Sequence, residues 1–317
     1  MNKRKIGNSP LEVAPLAFGG NVFGWTINES VSFKLLDEFI DNGFNLIDTA
    51  DVYSRWKEGN RGGESETIIG KWLKQKGGRD KVIIATKVGM EMSPTETGLS
   101  KAYILKEVEA SLKRLQTDYI DLYQSHKDDP NTPIEETLEA YSILVKQGKI
   151  RVIGASNFTA ERLQASLDIS AKYNFPAYQC LQPEYNMYTR AVYETELEQF
   201  CMKNKLGVIP FYSLAKGFLS GKYRTSDDKS KSIHGDGVTK KYLNDRGLKI
   251  LKALEETANH YSVSMATIAI AWLAARSSIS APIASATNLE QLKELMRSAE
   301  IKLDAVFMEK INTASSY

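Results

Sequence analysis

The sequence predicts an α/β protein built as a single (β/α)8 TIM barrel, with an N-terminal β-hairpin before it and a long loop after the seventh strand. Short apolar runs alternate eight times with segments in which apolar residues recur every three or four positions. The 317 residues exceed the roughly 250 that such a barrel needs. No linker or shift in composition divides the chain, so we expect one domain over residues 1–317.

The predicted hairpin lies within residues 3–16. The turn-forming run Gly7-Asn8-Ser9-Pro10 separates two short flanks in which apolar and polar residues alternate. A hairpin that precedes the first barrel strand could plug one end of the barrel.

Eight strand–helix units follow in order. Each strand is a short apolar run that ends at a glycine or a polar residue, and each helix has apolar residues on one face. Ser100 is expected to cap the third helix, and Pro133 lies at or just before the start of the fourth. We predict barrel strands over residues 16–18, 45–48, 81–87, 119–126, 150–156, 177–182, 207–213 and 280–284. We predict helices over residues 29–42, 64–76, 100–116, 134–147, 159–173, 193–204, 248–261, 264–275, 289–299 and 305–314.

The alternation is interrupted over residues 214–247. This stretch is polar and rich in glycine, serine, aspartate and lysine, and a loop of that length is usually a lid or a binding loop. A doubly wound sheet is the competing fold. No Gly-x-Gly-x-x-Gly motif follows the first strand, so a dinucleotide-binding domain of that type is not expected.

The composition excludes several functions. With 42% hydrophobic residues, 25% charged residues, a net charge of +2 and no dense basic run, nothing points to nucleic acid. The basic start lacks a following apolar stretch, and residues 266–275 are too few to span a bilayer, so we expect a cytoplasmic protein without a membrane partner. Cys180 and Cys201 are interpreted as buried thiols, because their spacing fits no metal or redox motif. Three histidines argue against a multi-histidine metal site, so no metal is expected.

Polar side chains stand at the predicted ends of six strands. These side chains are Asp48, Lys87, His126, Asn157, Gln182 and Tyr212. In a (β/α)8 barrel the carboxyl ends of all strands face one crevice, where the chemistry takes place. A single aspartate at a strand end would be interpreted as a turn or cap residue. Six polar ends, one in each strand–helix unit, favour a functional crevice.

A site that holds Asp48, Tyr53, Lys87 and His126 has a clear chemical logic. An unperturbed tyrosine has a pKa near 10, and a neighbouring lysine cation is expected to lower it. Asp48 would compensate the charge of Lys87, and His126 would orient a carbonyl oxygen or relay the proton. Tyr53 could then donate a proton to a carbonyl as hydride arrives. None of these side chains supplies hydride, so a cofactor must.

The order of motifs resembles that of the aldo-keto reductases over essentially the whole chain. The matching stretches are DTADVY at 48–53, GESE at 63–66 with Gly70, ATK at 85–87, LYQSH at 122–126, TPIEETLEA at 132–140, GKIRVIGASNF at 148–158 and PFYSLAKGFLSGKY at 210–223. The resemblance implies hydride transfer from NADPH, with NADH possible, to a small aldehyde or ketone, without metal or flavin.

The resemblance also implies roles for individual residues. Asp48, Tyr53, Lys87 and His126 match the catalytic tetrad, with Tyr53 as general acid, and Tyr212 matches the aromatic residue that stacks on the nicotinamide. The implied cofactor contacts are Ser156, Asn157 and Gln182 at the carboxamide, Ser213, Leu214, Gly217 and Lys222 at the pyrophosphate, and Ser285, Thr287, Gln291 and Glu294 at the adenosine end. The long loop after Leu219 would fold over the cofactor.

The chain departs from the family pattern at the adenosine end. Ser285 and Thr287 can hydrogen-bond the 2′-phosphate of NADPH but carry no charge, whereas phosphate binding normally draws on arginine or lysine. The charge would then come from the loop, and the candidate residues are Lys222, Arg224, Lys229 and Lys231. NADPH is the expected cofactor, with dual use of NADH as the alternative.

The substrate contacts are less sharply predicted. Trp25 and Trp56 follow strand ends, and each either walls a mostly apolar substrate pocket or packs under a loop. Lys127 and Asp128 adjoin His126 and are placed to touch polar substrates. The remaining histidines, His234 and His260, have no partner in the pattern and are interpreted as surface residues.

Two other functions stay open on the sequence. Potassium-channel β-subunits share this barrel and its cofactor site and act as binding partners, and a complete tetrad does not exclude that role. A Schiff-base aldolase or lyase could use Lys87 if that residue were free of Asp48, although Tyr212 and the segment around Lys222 argue against it. Oligomeric state and physiological substrate cannot be read from the sequence.

Overall fold

Eight parallel strands form a barrel in the computed structural model, which describes residues 1–317. Two further strands, β1 (Arg4–Lys5) and β2 (Glu12–Val13), pair as the antiparallel hairpin. The barrel strands are β3 (Ala17–Gly19), β4 (Leu46–Asp48), β5 (Ile83–Val88), β6 (Ile120–Ser125), β7 (Ile150–Ser156), β8 (Cys180–Gln182), β9 (Gly207–Val208) and β10 (Ile283–Ala284). Their order is β10-β3-β4-β5-β6-β7-β8-β9.

Backbone hydrogen bonds close the barrel between its two outer strands. Val208 forms a parallel bridge with Ile279, and the Ile283 amide donates to the Pro210 carbonyl at 2.9 Å. The predicted (β/α)8 fold and the N-terminal hairpin are therefore confirmed.

Eleven α-helices surround the sheet. They are α1 (Glu29–Asp41), α2 (Glu64–Lys76), α3 (Lys101–Leu115), α4 (Ile134–Lys146), α5 (Ala160–Tyr173), α6 (Glu198–Lys203), α7 (Gly235–Tyr242), α8 (Asp245–Tyr261), α9 (Met265–Ala274), α10 (Leu289–Arg297) and α11 (Ala305–Ser315). Short polar residues begin several of them, as expected for N-caps: the Ser100 side chain accepts from the Tyr103 amide. Pro133 immediately precedes α4, as predicted.

The seventh barrel strand, β9, is shorter than predicted. The sequence favoured a strand over residues 207–213, but only Gly207–Val208 pair as a strand. Pro210 has no amide hydrogen for a ladder, and Tyr212 has a left-handed backbone with φ 53°, which ends the extended run.

The stretch after β9 contains more regular structure than a loop. Residues Ala215–Ser220 and Ser226–Lys231 are 3₁₀ segments, and α7 and the start of α8 follow. Phe218 and Tyr242 are buried with their rings stacked 5.5 Å apart, and these apolar anchors hold the segment on the barrel. The predicted long segment after the seventh strand is present, and its short helical elements were not predicted because the anchors lie too far apart in sequence to give a periodic signal.

The core has two parts. A large cluster fills the space between the strands and the helices, and a second cluster of 12 buried residues lies inside the barrel. Ile6, Leu11 and Val13 of the hairpin belong to the inner cluster, together with Leu46 and Leu122 of the strands. The hairpin thus plugs the end of the barrel opposite the carboxyl ends of the strands. Both cysteines are buried and unpaired.

No helix of the protein is long and apolar enough to cross a membrane.

Candidate active site

Three charged or titratable side chains meet at the carboxyl ends of neighbouring strands. Asp48 is the last residue of β4, Lys87 lies near the end of β5, and His126 directly follows β6. All three are buried, and the Lys87 side chain is fully inaccessible to solvent. The parallel register that pairs β4 with β5 and β5 with β6 brings these residues to one end of the barrel.

Lys87 uses its three ammonium hydrogens within this site. Its Nζ donates to Asp48 Oδ2 at 2.7 Å, to the Thr49 carbonyl at 2.8 Å and to Tyr53 Oη at 2.9 Å. Burial lowers the pKa of Lys87, and the Asp48 carboxylate opposes that effect. A lysine held in this way keeps its hydrogen bonds to Asp48 and Tyr53 and is not free.

Tyr53 comes from the loop after β4. Its hydroxyl lies 3.4 Å from Asp48 Oδ2, to which it donates, and its ring is 5.9 Å from that of His126. Burial raises the pKa of Tyr53 well above 10, and the nearby Asp48 carboxylate adds to this. The expectation that Lys87 lowers this pKa is wrong here, because desolvation and Asp48 outweigh the cation. Tyr53 therefore keeps its proton at neutral pH.

His126 is neutral in the site. Burial lowers its pKa well below 6.5, and the charges of Lys87 and Lys127 act in the same direction. Its Nδ1 is buried without a hydrogen-bond partner. A neutral imidazole beside the Tyr53 hydroxyl can donate one hydrogen bond to an oxygen placed between them.

Gln182 and Gln124 lie behind Asp48. The Gln182 side-chain amide donates to Asp48 Oδ1 at 2.8 Å and lies 3.4 Å from the Gln124 oxygen. Asp48 thus has one oxygen fixed by Lys87 and the other by Gln182. Sequence reasoning missed Gln124, although its position in β6, two residues before His126, places it on the inward face.

Ser156 and Asn157 tie neighbouring strand ends together. The Ser156 hydroxyl donates to the Gln182 carbonyl at 2.8 Å, and the Asn157 amide donates to the His126 carbonyl at 2.9 Å. Asn157 has a left-handed backbone with φ 56°, which asparagine tolerates better than most residues. The Asn157 side-chain oxygen has no protein partner and is available to a ligand.

The segment after β9 suits a dinucleotide. The Tyr212 ring is 43% exposed at the rim, and its carbonyl accepts from Asn186 at 3.1 Å. Ala215, Lys216 and Gly217 have consecutive positive φ angles of 48°, 56° and 90°. A left-handed turn of this kind, with cations beside it, is suited to an anionic group.

Two lysines of this segment, Lys216 and Lys222, have no carboxylate partner and can meet an anionic group. Lys216 lies 4.8 Å from the Tyr212 ring centroid, and neither it nor Lys222 has a carboxylate within ion-pair distance. Ser213 is buried with its hydroxyl donating to the Pro210 carbonyl, and Leu214 lies beside it, partly exposed. The residues present therefore fit an NAD(P)H pyrophosphate and nicotinamide.

At the adenosine end the predicted residues bond mainly to one another. The Ser285 hydroxyl lies 2.7 Å from the Gly19 carbonyl and 2.6 Å from Asn21 Oδ1, and Thr287 donates to the Gln291 side chain at 3.0 Å. Glu294 is exposed. The Ser285 hydroxyl therefore already donates its hydrogen to an oxygen of the protein.

The four loop cations divide into two pairs. Arg224 is bound to Glu255 at 3.0 Å and Lys231 to Asp228 at 2.7 Å, so both build the loop. Lys222 and Lys229 have no carboxylate partner and are the available positive charges. Of the four cations, these two lysines are the candidates to bind the 2′-phosphate of NADPH. This role stays a prediction.

Two tryptophans and a histidine flank Tyr53. Trp56 lies 5.8 Å from the Tyr53 ring and Trp25 lies 5.2 Å from Trp56, measured between ring centroids. Trp25 also contacts His234, whose ring is 5.1 Å away in an edge arrangement. His234 is exposed, as predicted, but it is not without a partner, because the turn before α7 brings its ring against Trp25 at the rim of the site. Nothing in the local sequence indicates this contact.

The residues after His126 separate in the structure. Lys127 is exposed and has no ion-pair partner, so it remains a candidate for substrate contact. Asp128 is held by Arg162 at 2.8 Å, so the expected substrate contact of Asp128 is not supported. No group of three or more histidine, cysteine, aspartate and glutamate side chains is arranged to hold a metal ion.

A buried acidic network lies behind the site and was missed by sequence reasoning. Glu66 is fully buried and accepts from the Thr86 hydroxyl at 2.5 Å and from Arg114 Nε at 2.6 Å. Arg114 also donates to Glu107 at 2.5 Å. Asp51 is buried nearby, with one oxygen bound by the Val52 amide and the other without a partner. Burial and the charges of Glu66 and Glu107 raise the pKa of Asp51.

Comparison with known proteins gives the same assignment over nearly the whole chain. A family model described as Aldo/keto reductase family matches residues 15–316. YrpG, an uncharacterized oxidoreductase of Bacillus subtilis, is 33% identical over 314 residues, which cover 97% of this chain and 94% of that protein. L-glyceraldehyde 3-phosphate reductase of Escherichia coli is 32% identical, over 93% of this chain and 86% of that protein. A probable voltage-gated potassium channel subunit beta of Arabidopsis thaliana is 30% identical, over 98% of this chain and 95% of that protein.

These matches agree with the structure, a barrel whose strand ends bring Asp48, Tyr53, Lys87 and His126 together. The family generally uses NAD(P)H, and its reductase members are oxidoreductases that act on carbonyl groups. The chain belongs to the aldo/keto reductase family.

Proposed function

We propose that the protein reduces an aldehyde or ketone to the alcohol with NADPH, and that Tyr53 is the general acid. The contact of Lys87 Nζ with both Tyr53 Oη (2.9 Å) and Asp48 (2.7 Å) carries this proposal. This contact places a buried cation against the protonated phenol of Tyr53. The phenol lies where the carbonyl oxygen of a substrate would gain negative charge. We also propose that residues 1–317 act as one catalytic domain.

The proposed mechanism assigns each side chain one task. NADPH, when bound, supplies the hydride. Neutral His126 donates a hydrogen bond to the substrate oxygen and orients it toward Tyr53. Tyr53 donates its proton as negative charge develops on that oxygen, and Lys87 stabilises the resulting phenolate. Asp48, fixed by Gln182, keeps Lys87 in place.

The cofactor would be held along the other side of the crevice. Tyr212 would stack on the nicotinamide, Ser156, Asn157 and Gln182 would bind its carboxamide, and Gly217 with Lys222 would bind the pyrophosphate. The side-chain amide nitrogen of Gln182 already donates hydrogen bonds to Asp48 and Gln124, so Gln182 would accept from the carboxamide through its oxygen. Lys222 and Lys229 would supply the charge for a 2′-phosphate, which favours NADPH over NADH.

A binding role of the channel β-subunit type is the second candidate. The similarity to the Arabidopsis thaliana protein named as a probable potassium channel subunit beta favours it, since it covers nearly the whole of both chains. A Schiff-base aldolase is disfavoured, because Lys87 is fully buried and hydrogen-bonded to Asp48. Slow turnover with tight cofactor retention would point to the binding role.

The first test is a fluorescence titration with NADPH and with NADH. The four tryptophans make quenching easy to follow. We expect tight NADPH binding and weaker NADH binding. Equal binding of both would remove the assignment of Lys222 and Lys229 to a 2′-phosphate. Binding of neither would contradict the reductase proposal.

The second test is the Tyr53→Phe variant. It should bind NADPH as the wild type does but lose about 10²–10⁴-fold in kcat/KM for aldehyde reduction, because the proton donor is gone while the ring remains. The rate of NADPH oxidation is measured as the loss of absorbance of the reduced nicotinamide at ~340 nm. The binding titration is run beside it. A kcat near that of the wild type would show that Tyr53 is not the acid.

A further inference from the structure

A continuous row of aromatic rings runs from the proposed reaction centre to α7. The centroid distances are 5.9 Å from His126 to Tyr53, 5.8 Å from Tyr53 to Trp56, 5.2 Å from Trp56 to Trp25 and 5.1 Å from Trp25 to His234. Neighbouring planes are inclined by 57° to 75°. The row is assembled from separate segments of the chain, so only the folded barrel creates it.

The backbone at His234, at the end of the row, is held by its neighbours. The His234 amide donates to Ser232 Oγ at 3.1 Å, and that hydroxyl lies 2.6 Å from the hydroxyl of buried Tyr223. A methyl group at Gly235 would lie 1.9 Å from the Lys229 carbonyl, so the backbone packs closely there. The segment is therefore anchored on both sides of His234.

His234 lies near both the aromatic row and the cations Lys216 and Lys222. The His234 side chain is exposed overall, but partial desolvation and the charges of Lys216 and Lys222 lower its pKa, which favours the neutral ring at pH 7. Lys216 lies over the Tyr212 ring, on the side assigned to the cofactor. The His234 ring instead faces Trp25. The contact with Trp25 therefore associates His234 with the substrate wall.

The tryptophans of the row offer apolar surface to a ligand. Trp56 is 48% exposed, although tryptophan is highly buried on average in folded proteins. Neither Trp56 nor Trp25 donates a hydrogen bond from its indole nitrogen within the protein. Aromatic rings in this arrangement bind flat apolar groups through stacking and edge contacts.

We propose that His234 determines substrate specificity. This inference rests on the proposed reductase function. Together with Trp25 and Trp56, His234 forms a slot that favours flat aromatic aldehydes over short aliphatic ones, while the carbonyl lies at Tyr53. A short aldehyde would reach the reaction centre without touching His234.

The test compares 2-naphthaldehyde with propanal as substrates in wild type and in His234→Ala. We expect kcat/KM for 2-naphthaldehyde to fall about 2- to 10-fold, mainly through KM, since one aromatic contact is lost. The value for propanal should stay within about 2-fold, and the NADPH dissociation constant from fluorescence should not change. His234→Phe keeps a ring at the position and should retain the preference for 2-naphthaldehyde.

His260→Ala is the matched control. His260 is the other histidine outside the proposed centre; it is exposed and packs against Phe307 on α11. It should leave both substrates unaffected.

The outcomes separate this inference from the proposed function. Equal loss for both aldehydes in His234→Ala, or no loss for either, would overturn the role of His234 while leaving the reductase intact. Weaker NADPH binding with an unchanged substrate ratio would assign His234 to the cofactor instead and would also overturn it. Absence of aldehyde reduction in the wild type would contradict the proposed function itself.

Discussion

Asp51 is a completely buried carboxyl group between Asp48 and Tyr53 in the sequence. Only one of its oxygens has a partner, the Val52 amide at 2.6 Å. An isolated buried carboxylate is costly, and this desolvation raises the pKa of Asp51 well above its ordinary value, which favours the protonated form. Its position two residues before Tyr53 means that a charge there would also act on the proposed acid.

Asp51→Asn should change how stability depends on pH. In the unfolded chain Asp51 ionises near 3.8, whereas in the folded protein its pKa is well above that value. Between these two pKa values the folded state binds more protons, so Asp51 lowers the free energy of unfolding as pH rises. Asparagine keeps the acceptor for the Val52 amide and removes this linkage.

Chemical unfolding at several pH values measures the effect. The stability of Asp51→Asn relative to wild type should increase as pH rises above about 4. A difference between the two proteins that is constant with pH, or that shrinks as pH rises, would show that Asp51 is ionised in the folded state.

Residues at strand ends could be predicted from the sequence, whereas residues on the rim could not. Asp48 and Lys87 end short apolar runs, so their spacing alone places them in one crevice. His234 is fixed by hydrogen bonds of Ser232 and Tyr223 that have no sequence signature. The environment of Tyr53 was also beyond prediction, since its pKa depends on burial, which composition does not give.

At the scale of elements, Arg114 joins α2 to α3. Its guanidinium reaches Glu66 on α2 and Glu107 on α3, and Glu66 in turn accepts from Thr86 on β5. Gly70 permits close packing at this junction, because a methyl group there would lie 2.1 Å from the Arg114 carbonyl. One cation thus serves two buried carboxylates behind the site.

Arg114→Leu should destabilise the fold by about 3–5 kcal/mol, because it leaves buried carboxylates without their cation. Urea unfolding followed by circular dichroism measures the loss. Lys106→Leu is the matched control on the same helix, since its partner Glu96 lies at the surface and the ion pair is exposed, and it should change stability little. Equal effects of the two substitutions would show that Arg114 acts as a surface residue.

Helices were predicted more closely than strands for a physical reason. A helix such as α2 shows its apolar face over many residues and agrees with the prediction at both ends, Glu64 and Lys76. A strand such as β9 is only two residues long, and the left-handed Tyr212 that follows it cannot be recognised from composition. Where a short strand begins and ends depends on the strands with which it pairs rather than on its own sequence.

At the scale of the whole molecule, the hairpin and the barrel share an interior. Ile6, Leu11 and Val13 pack with residues of the strands, and Gly7 lies against the backbone just before β8 and at the start of β9. Gly7 has φ +59°, and a methyl group there would lie 2.3 Å from the Gln179 carbonyl. That neighbour is backbone and cannot move aside as a side chain could.

Gly7→Ala should therefore destabilise the protein by more than the roughly 1 kcal/mol of backbone strain alone. Gly148→Ala isolates that strain, because Gly148 has φ +73° with nothing within 4 Å of the added methyl group. Thermal unfolding of both variants gives the comparison. Equal destabilisation would mean that the plug yields to the methyl group.

The same hairpin imposes an order on folding. The Arg4 side chain donates to the Ile279 carbonyl, Ser280 donates to the Lys5 carbonyl, and the Asn8 amide donates to Gln179, so three of its hydrogen bonds join residues 171 to 275 positions apart in the chain. Contacts across such separations form slowly. During synthesis the hairpin emerges before the barrel, yet its binding surface is complete only once Ile279 and Ser280 have been made. Docking of the plug is therefore a late step, and until it occurs the apolar interior at that end is open to water and to other chains.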